Sequence, residues 1–222
     1  MKLTLALPLD RAEVCRRLGC APDGLDARSA EQLDACEAEL LRAAAPRGVF
    51  RRFELGWEDQ VPLLPAARLT LEGQDIAQHL ARCRAVLLLA VTLGAGVDRL
   101  LQGAGAGEIF RAVALDAVAS AAAEAAAEAG EREALALCRS GEFHTGRFSP
   151  GYGDFPLSAQ PRLLALLDAP RAIGLTATRE SILVPRKSVT AVIGIADEPV
   201  TGHLAGCGSC RLREKCEYRK RG

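Results

Sequence analysis

Between Arg84 and Leu93, residues 85–91 read Ala-Val-Leu-Leu-Leu-Ala-Val, an unbroken apolar stretch of strand length. No other segment constrains the fold as strongly. Side chains alternate across a strand, so one that is apolar at every position needs cover on both faces. Arg84–Leu93 is therefore expected to be a central strand between two layers. The stretch falls well short of the ~20 apolar residues that cross a bilayer. Lys2 to Leu7 resembles the start of a signal peptide, but Pro8, Asp10 and Arg11 close it too soon. The expectation is a soluble, cytoplasmic protein with no membrane partner. At 222 residues, one main domain is expected. Apolar residues make up 49% but aromatics only 4%, so the core must be built from Leu, Val, Ile and Ala.

The remaining elements follow from local signals. Asp10 can cap a helix over Arg11–Leu18 that Gly19 stops. Ser29 with Gln32 has the spacing of a capping box for a second helix to about Ala45. Strands are expected at Val49–Leu55 and Arg68–Leu71, and a short helix over Gln74–Cys83. Residues 108–138, dominated by Ala and Glu, form the longest predicted helix, with Gly130 expected to bend or interrupt it. A helix over Ser158–Leu167 tolerates Pro161 in its first turn. Leu175–Val184 and Val189–Ile195 read as the two strands of a hairpin-like pair. Helices and strands mix without a βαβ repeat, so the class is α+β.

Lys+Arg and Asp+Glu both number 28, so the whole chain has no basic field to attract nucleic acid. Leu93-Gly94-Ala95-Gly96-Val97-Asp98-Arg99 imitates a dinucleotide fingerprint, but Arg99 stands at its third glycine position. It is read as a turn into a helix. His79 and His144 have no Ser or Cys partner in a nucleophile signature.

Arg147-Phe148-Ser149-Pro150-Gly151-Tyr152-Gly153-Asp154-Phe155-Pro156 is the run richest in chemistry. Arg147 carries a planar fork suited to a carboxylate, and Tyr152 offers an aromatic face. Gly151 and Gly153 permit positive φ and close approach of a ligand, while Pro150 restricts the loop. Such a loop suits a small zwitterion.

The order Arg-x-x-x-Gly-Tyr, Asp154-Phe155-Pro156-Leu157-Ser158, a leucine-rich helix, Ile173-Gly174-Leu175-Thr176 and Val184-Pro185-Arg186-Lys187-Ser188-Val189 resembles the activation domain of cobalamin-dependent methionine synthase, in a short free-standing form. The resemblance covers roughly residues 141–196 and loosely reaches back to about residue 86. It implies a single α+β domain, residues 1–200, with a curved, mainly antiparallel sheet flanked by helices. It implies S-adenosylmethionine as ligand, with Arg147 on the methionine carboxylate, Tyr152 lining the site and backbone groups at Pro150 and Gly151 in contact. Glu124 matches the family's acidic ligand to the ammonium, with Glu128 one turn on along the same face. Asp10 is the one candidate for a further N-terminal acidic contact. Arg179 intrudes into the family's Thr-Glu-Ser pattern and displaces Glu180 by one position.

The implied partner is the cobalamin-binding module of a separate methionine synthase, with a flavodoxin-like or other low-potential electron donor. Cobalamin would reside on that partner. An electron and a methyl group from S-adenosylmethionine would restore methylcobalamin from inactive cob(II)alamin. Two other functions fit the residues: reactivation of another corrinoid methyltransferase, and a ligand-sensing or nucleic-acid-binding module with a zinc tail.

The eight cysteines form two sets. Cys15, Cys20, Cys36, Cys83 and Cys138 sit among apolar or helical neighbours and read as small hydrophobes. Cys207, Cys210 and Cys216 crowd a basic tail, residues 201–222, with ligand-like spacing. Three thiolates suit zinc only with a fourth ligand such as His203, or an iron–sulfur cluster with one open iron. Three reduced thiols without metal is the other reading.

Overall fold

The computed structural model describes residues 2–104, 108–136 and 138–202. The terminal cysteines and His203 lie outside the described residues. In chain order the elements are β1 (Lys2–Thr4), α1 (Arg11–Leu18), α2 (Ala27–Ala43), β2 (Arg47–Glu54), β3 (Gly56–Glu58), β4 (Val61–Leu64), β5 (Leu69–Thr70), α3 (Gln74–Leu80), β6 (Ala85–Thr92), α4 (Ala95–Ala104), α5 (Ile109–Leu135), β7 (Phe143–Phe148), α6 (Gln160–Leu166), α7 (Ala169–Ile173), β8 (Thr176–Ala177), β9 (Leu183–Val184) and β10 (Ser188–Ala196). The described residues make an α+β single domain with helices around antiparallel sheets.

The main sheet runs β1-β2-β6-β10-β7, and every neighbouring pair is antiparallel. β6 is its middle strand, buried along its whole length. Ala85, Leu87, Leu89 and Val91 pack into one core with α1, α2, α4 and α5. Val86, Leu88 and Ala90 face a second core, formed with β4, β5, α3, α6 and α7. The two-sided cover expected of the apolar run is thus present. Each fully buried Leu or Val of this strand contributes ~1.5–3 kcal/mol by leaving water.

α5 passes through Gly130 without a break. A Cβ at Gly130 would stand 2.8 Å from Val91 Cγ1 and 3.4 Å from Leu89 Cδ1, so this glycine serves close packing of helix on sheet. Local chemistry explains the ends of α1, where Asp10 accepts from Ala12 N and Gly19 adopts the left-handed C-cap. At α2 the expectation is corrected: Asp26, not Ser29, is the N-cap and accepts from Ser29 N at 2.8 Å. Gln32 instead bonds Glu108.

A second correction concerns residues 175–184. They are not one strand paired with β10 but a small hairpin of their own, β8 against β9. Thr178 N donates to Ile182 O and Ser181, at φ +64°, to Thr178 O, so the displaced Glu180 lies in a turn. β10 is instead inserted between β6 and β7. Gly94, at φ +86°, is the expected turn into a helix, and α4 begins directly after it.

Candidate functional site

Arg147 stands on a strand rather than in a loop, one residue before the end of β7, which is an edge strand of the main sheet. Its direction is set by a β-bulge. Arg147 pairs with Ile193 and His144 with Ile195, so Thr145 and Gly146 together oppose Gly194 alone. Thr145 Oγ1 fixes the irregularity by accepting from Gly194 N at 2.8 Å and donating to Gly146 O at 2.9 Å. The extra residue shifts the alternation of the strand. It turns Arg147 to the α5 face and Phe148 into the opposite core.

On the α5 face, Arg147 Nη2 meets Glu124 Oε1 at 2.5 Å and Arg147 Nε meets Glu131 Oε2 at 2.9 Å. Glu124 and Glu131 lie two turns apart on one helical stripe, with the exposed Glu128 between them. The Arg147 side chain is 16% exposed. Burial works against its charge, yet Glu124, Glu131 and Glu128 more than offset this and raise its pKa. Arg147 is therefore a fixed cation with a fixed orientation. A guanidinium has five N–H donors in a planar fork, and Nη1 makes no hydrogen bond to the described residues. The group has the capacity to take a further carboxylate while α5 holds it.

The loop after β7 is folded by its own backbone. Gly151, at φ +94°, donates to Phe155 O at 2.8 Å; Tyr152 N donates to Ser149 O at 3.0 Å, and Phe155 N to Tyr152 O at 3.0 Å. The Gly151 N–H is therefore committed, and a backbone contact to a ligand from Gly151 or Pro150 would use a carbonyl. Pro150 is buried, whereas Tyr152 is 48% exposed. The Tyr152 ring stands edge-on to Phe148, 6.0 Å between centroids, on the face away from α5. The structure thus joins Arg147 and Glu124 directly and places Tyr152 around the sheet edge from them.

Two residues of this arrangement were given no role by the sequence. Glu131 repeats the Glu124–Glu128 stripe one turn later, and extending that stripe would have found it. Asp154 accepts from Gln74 N at 2.7 Å and Asp75 N at 3.0 Å, capping α3 from across the fold. Its signal was indirect: Glu72-Gly73-Gln74 opens a helix with no capping side chain of its own.

Val184-Pro185-Arg186-Lys187-Ser188 brings Lys187 to Ser120 of α5, one turn before the Glu124 that holds Arg147. Arg186 N donates to Asp98, and Lys187 Nζ to Asp116 and Ser120, beside a cavity of about 340 Å³ also lined by Leu101 and Gln102. Burial pushes the Cys83 thiol up to about 11 and raises Cys15, Cys36 and Cys138, in keeping with unreactive packing residues. Asp10 is engaged as the α1 cap. Among the described residues no His, Cys, Asp and Glu side chains group to hold a metal ion. Nor, among them, is any helix long and apolar enough to cross a membrane.

No family model matches this chain, and no curated protein matches it by sequence. Thirteen chains of solved structures do match. One is the MetH reactivation domain bound to AdoHcy: the match covers 91% of this chain and 80% of that one, with a TM-score of 0.62 and 15% identity. This chain therefore shares that domain's fold.

Proposed function

We propose that this protein binds S-adenosylmethionine along the β7 edge and supports the reductive remethylation of cob(II)alamin on a separate cobalamin-dependent methionine synthase. One observation carries the reading: a fixed, α5-held Arg147 beside a Gly-Tyr loop, in a fold shared with a domain solved with AdoHcy. AdoHcy is what S-adenosylmethionine becomes when its methyl group leaves.

Arg147 takes the α-carboxylate through its remaining donors, as a charge-assisted pair. Glu124 balances Arg147 and is near enough to receive the ammonium. Tyr152 presents its ring to the cationic sulfonium end. The carbonyls of Pro150 and Gly151 supply the backbone contacts. No side chain is required as general acid or base. The protein's contribution is to hold the methyl carbon in line with the corrinoid of the partner. The C–S bond of the sulfonium breaks as the methyl is transferred, and one electron enters from a low-potential donor.

Cys207, Cys210 and Cys216 are assigned, within the same proposal, to a zinc or iron–sulfur centre. The chain reaches them from Gly202, which packs against His79 and Thr145 next to β7. Calorimetric titration with S-adenosylmethionine and S-adenosylhomocysteine tests the central claim. Saturable binding of both is expected, and a flat titration with both would overturn it.

A further inference from the structure

We propose that Asp154 is a positioning residue: by capping α3 in trans it fixes the Gly151–Gly153 loop relative to Arg147, and so sets ligand affinity without touching the ligand. The inference rests on the functional reading above and adds a residue to it.

The first N–H groups of a helix have no partners within it. At α3 the preceding residue is Gly73, which has no side chain to offer. Asp154, some 80 residues away in sequence, supplies both oxygens, to Gln74 N and Asp75 N. The contact is reciprocal, because Asp154 N donates to Asp75 Oδ2 at 3.1 Å. Both backbones approach too closely for side chains. A Cβ at Gly73 would come 2.6 Å from Asp154 Oδ1, and one at Gly153 would overlap the Asp75 carboxylate.

The other end of α3 holds the same segment. Buried His79 places Nε2 3.0 Å from Gly146 O, with its ring 4.9 Å from that of Phe148. The stretch from Gly146 to Asp154 is thus fastened at both ends to one short helix, and it contains Arg147, Pro150, Gly151 and Tyr152. Release at Asp154 removes the loop's tie to the start of α3 and leaves it only its own backbone turns, while Arg147 stays tied to α5. A ligand must then order the loop as it binds, and that entropy is deducted from its affinity.

The experiment titrates S-adenosylhomocysteine into wild type, Asp154→Ala, Asp154→Asn and Asp26→Ala. Asp26 is the N-cap of α2 and serves as a matched loss of one cap elsewhere. Asp154→Ala is expected to bind about tenfold more weakly. Asp154→Asn, which keeps the shape and one acceptor, should lose about threefold. Asp26→Ala should lower the melting temperature yet leave affinity unchanged. Amide hydrogen exchange at residues 149–154 should quicken in Asp154→Ala, less in Asp154→Asn, and not in Asp26→Ala. Equal affinity of Asp154→Ala and wild type would refute the proposal. If Asp154→Ala does not fold, parity of Asp154→Asn with wild type does the same. Wild type that fails to bind would instead refute the functional reading, and this inference with it.

Discussion

The chemistry of Arg147 is decided by how many of its donors the fold consumes. Glu124 and Glu131 hold the guanidinium by Nη2 and Nε and leave a planar edge. Arg147→Ala is expected to weaken S-adenosylmethionine binding by about 2–4 kcal/mol, as for removing one member of a desolvated charge pair. Arg147→Lys should recover little, because a single ammonium cannot serve two helix carboxylates and a ligand carboxylate in fixed directions. Tyr152→Ala should cost less, since its ring is half exposed and meets Phe148 edge-on. Arg99→Ala, on the exposed face of α4, should change nothing. Isothermal titration of the four variants checks the series, and an unaffected Arg147→Ala would remove the assignment.

Among the elements, two devices carry the site: an Ala-rich helix lying close to the sheet, and a carboxylate that ties sheet ends together. Gly130→Val puts branched bulk against Val91 and is expected to destabilise the fold by about 1–3 kcal/mol in urea denaturation. Glu142, just before β7, bonds Arg52 of β2, Arg84 at the start of β6, and Arg139 N. The bond from Arg52, opposed by burial and aided by Arg139 N and Arg84, lowers its pKa to about 2. The unfolded chain therefore takes up this proton first, near pH 4.3, and stability falls as pH drops from there toward 2. Glu142→Gln should be less stable at pH 7 and show a flatter loss of stability between pH 5 and pH 3, read by denaturation at each pH.

The same elements show what was legible in sequence. β6 was plain because a strand apolar on both faces has one reading, and α1 because Asp10 and Gly19 are local signals. Asp26 and Ser29 are both capping residues three apart, and propensity alone does not choose between them. Residues 175–184 look like one strand until Ser181 turns the chain. The bulge that aims Arg147 depends on a hydroxyl bonding an amide of a distant strand, and the cap of α3 comes from Asp154. Such long-range polar contacts leave no periodicity to read.

At the scale of the whole molecule, the sheet's β7 edge brings together the described residues proposed to hold the methyl donor. α5 lies on one side of it, α3 and the Tyr152 loop on the other, and Gly202 packs beside it before the terminal cysteines. A protein arranged this way should act on a synthase that lacks such a domain and has lost activity as cob(II)alamin accumulates. Adding this protein, labelled S-adenosylmethionine and a low-potential reductant should restore methylcobalamin, followed by the corrinoid spectrum and by label on the methyl group. Arg147→Ala should fail at ordinary donor concentration and recover in part when the donor is raised, because the lost interaction is mainly binding. Anaerobically prepared protein should carry zinc or iron with sulfide, lost in Cys210→Ser. Cys207→Ser then separates two roles for that centre. If reactivation persists with external reductant, the tail is structural or a docking element. If it stops while S-adenosylmethionine still binds, the tail conducts the electron. Methylcobalamin that returns equally well without this protein would dismiss the assignment, since the edge would then have no part in placing the donor.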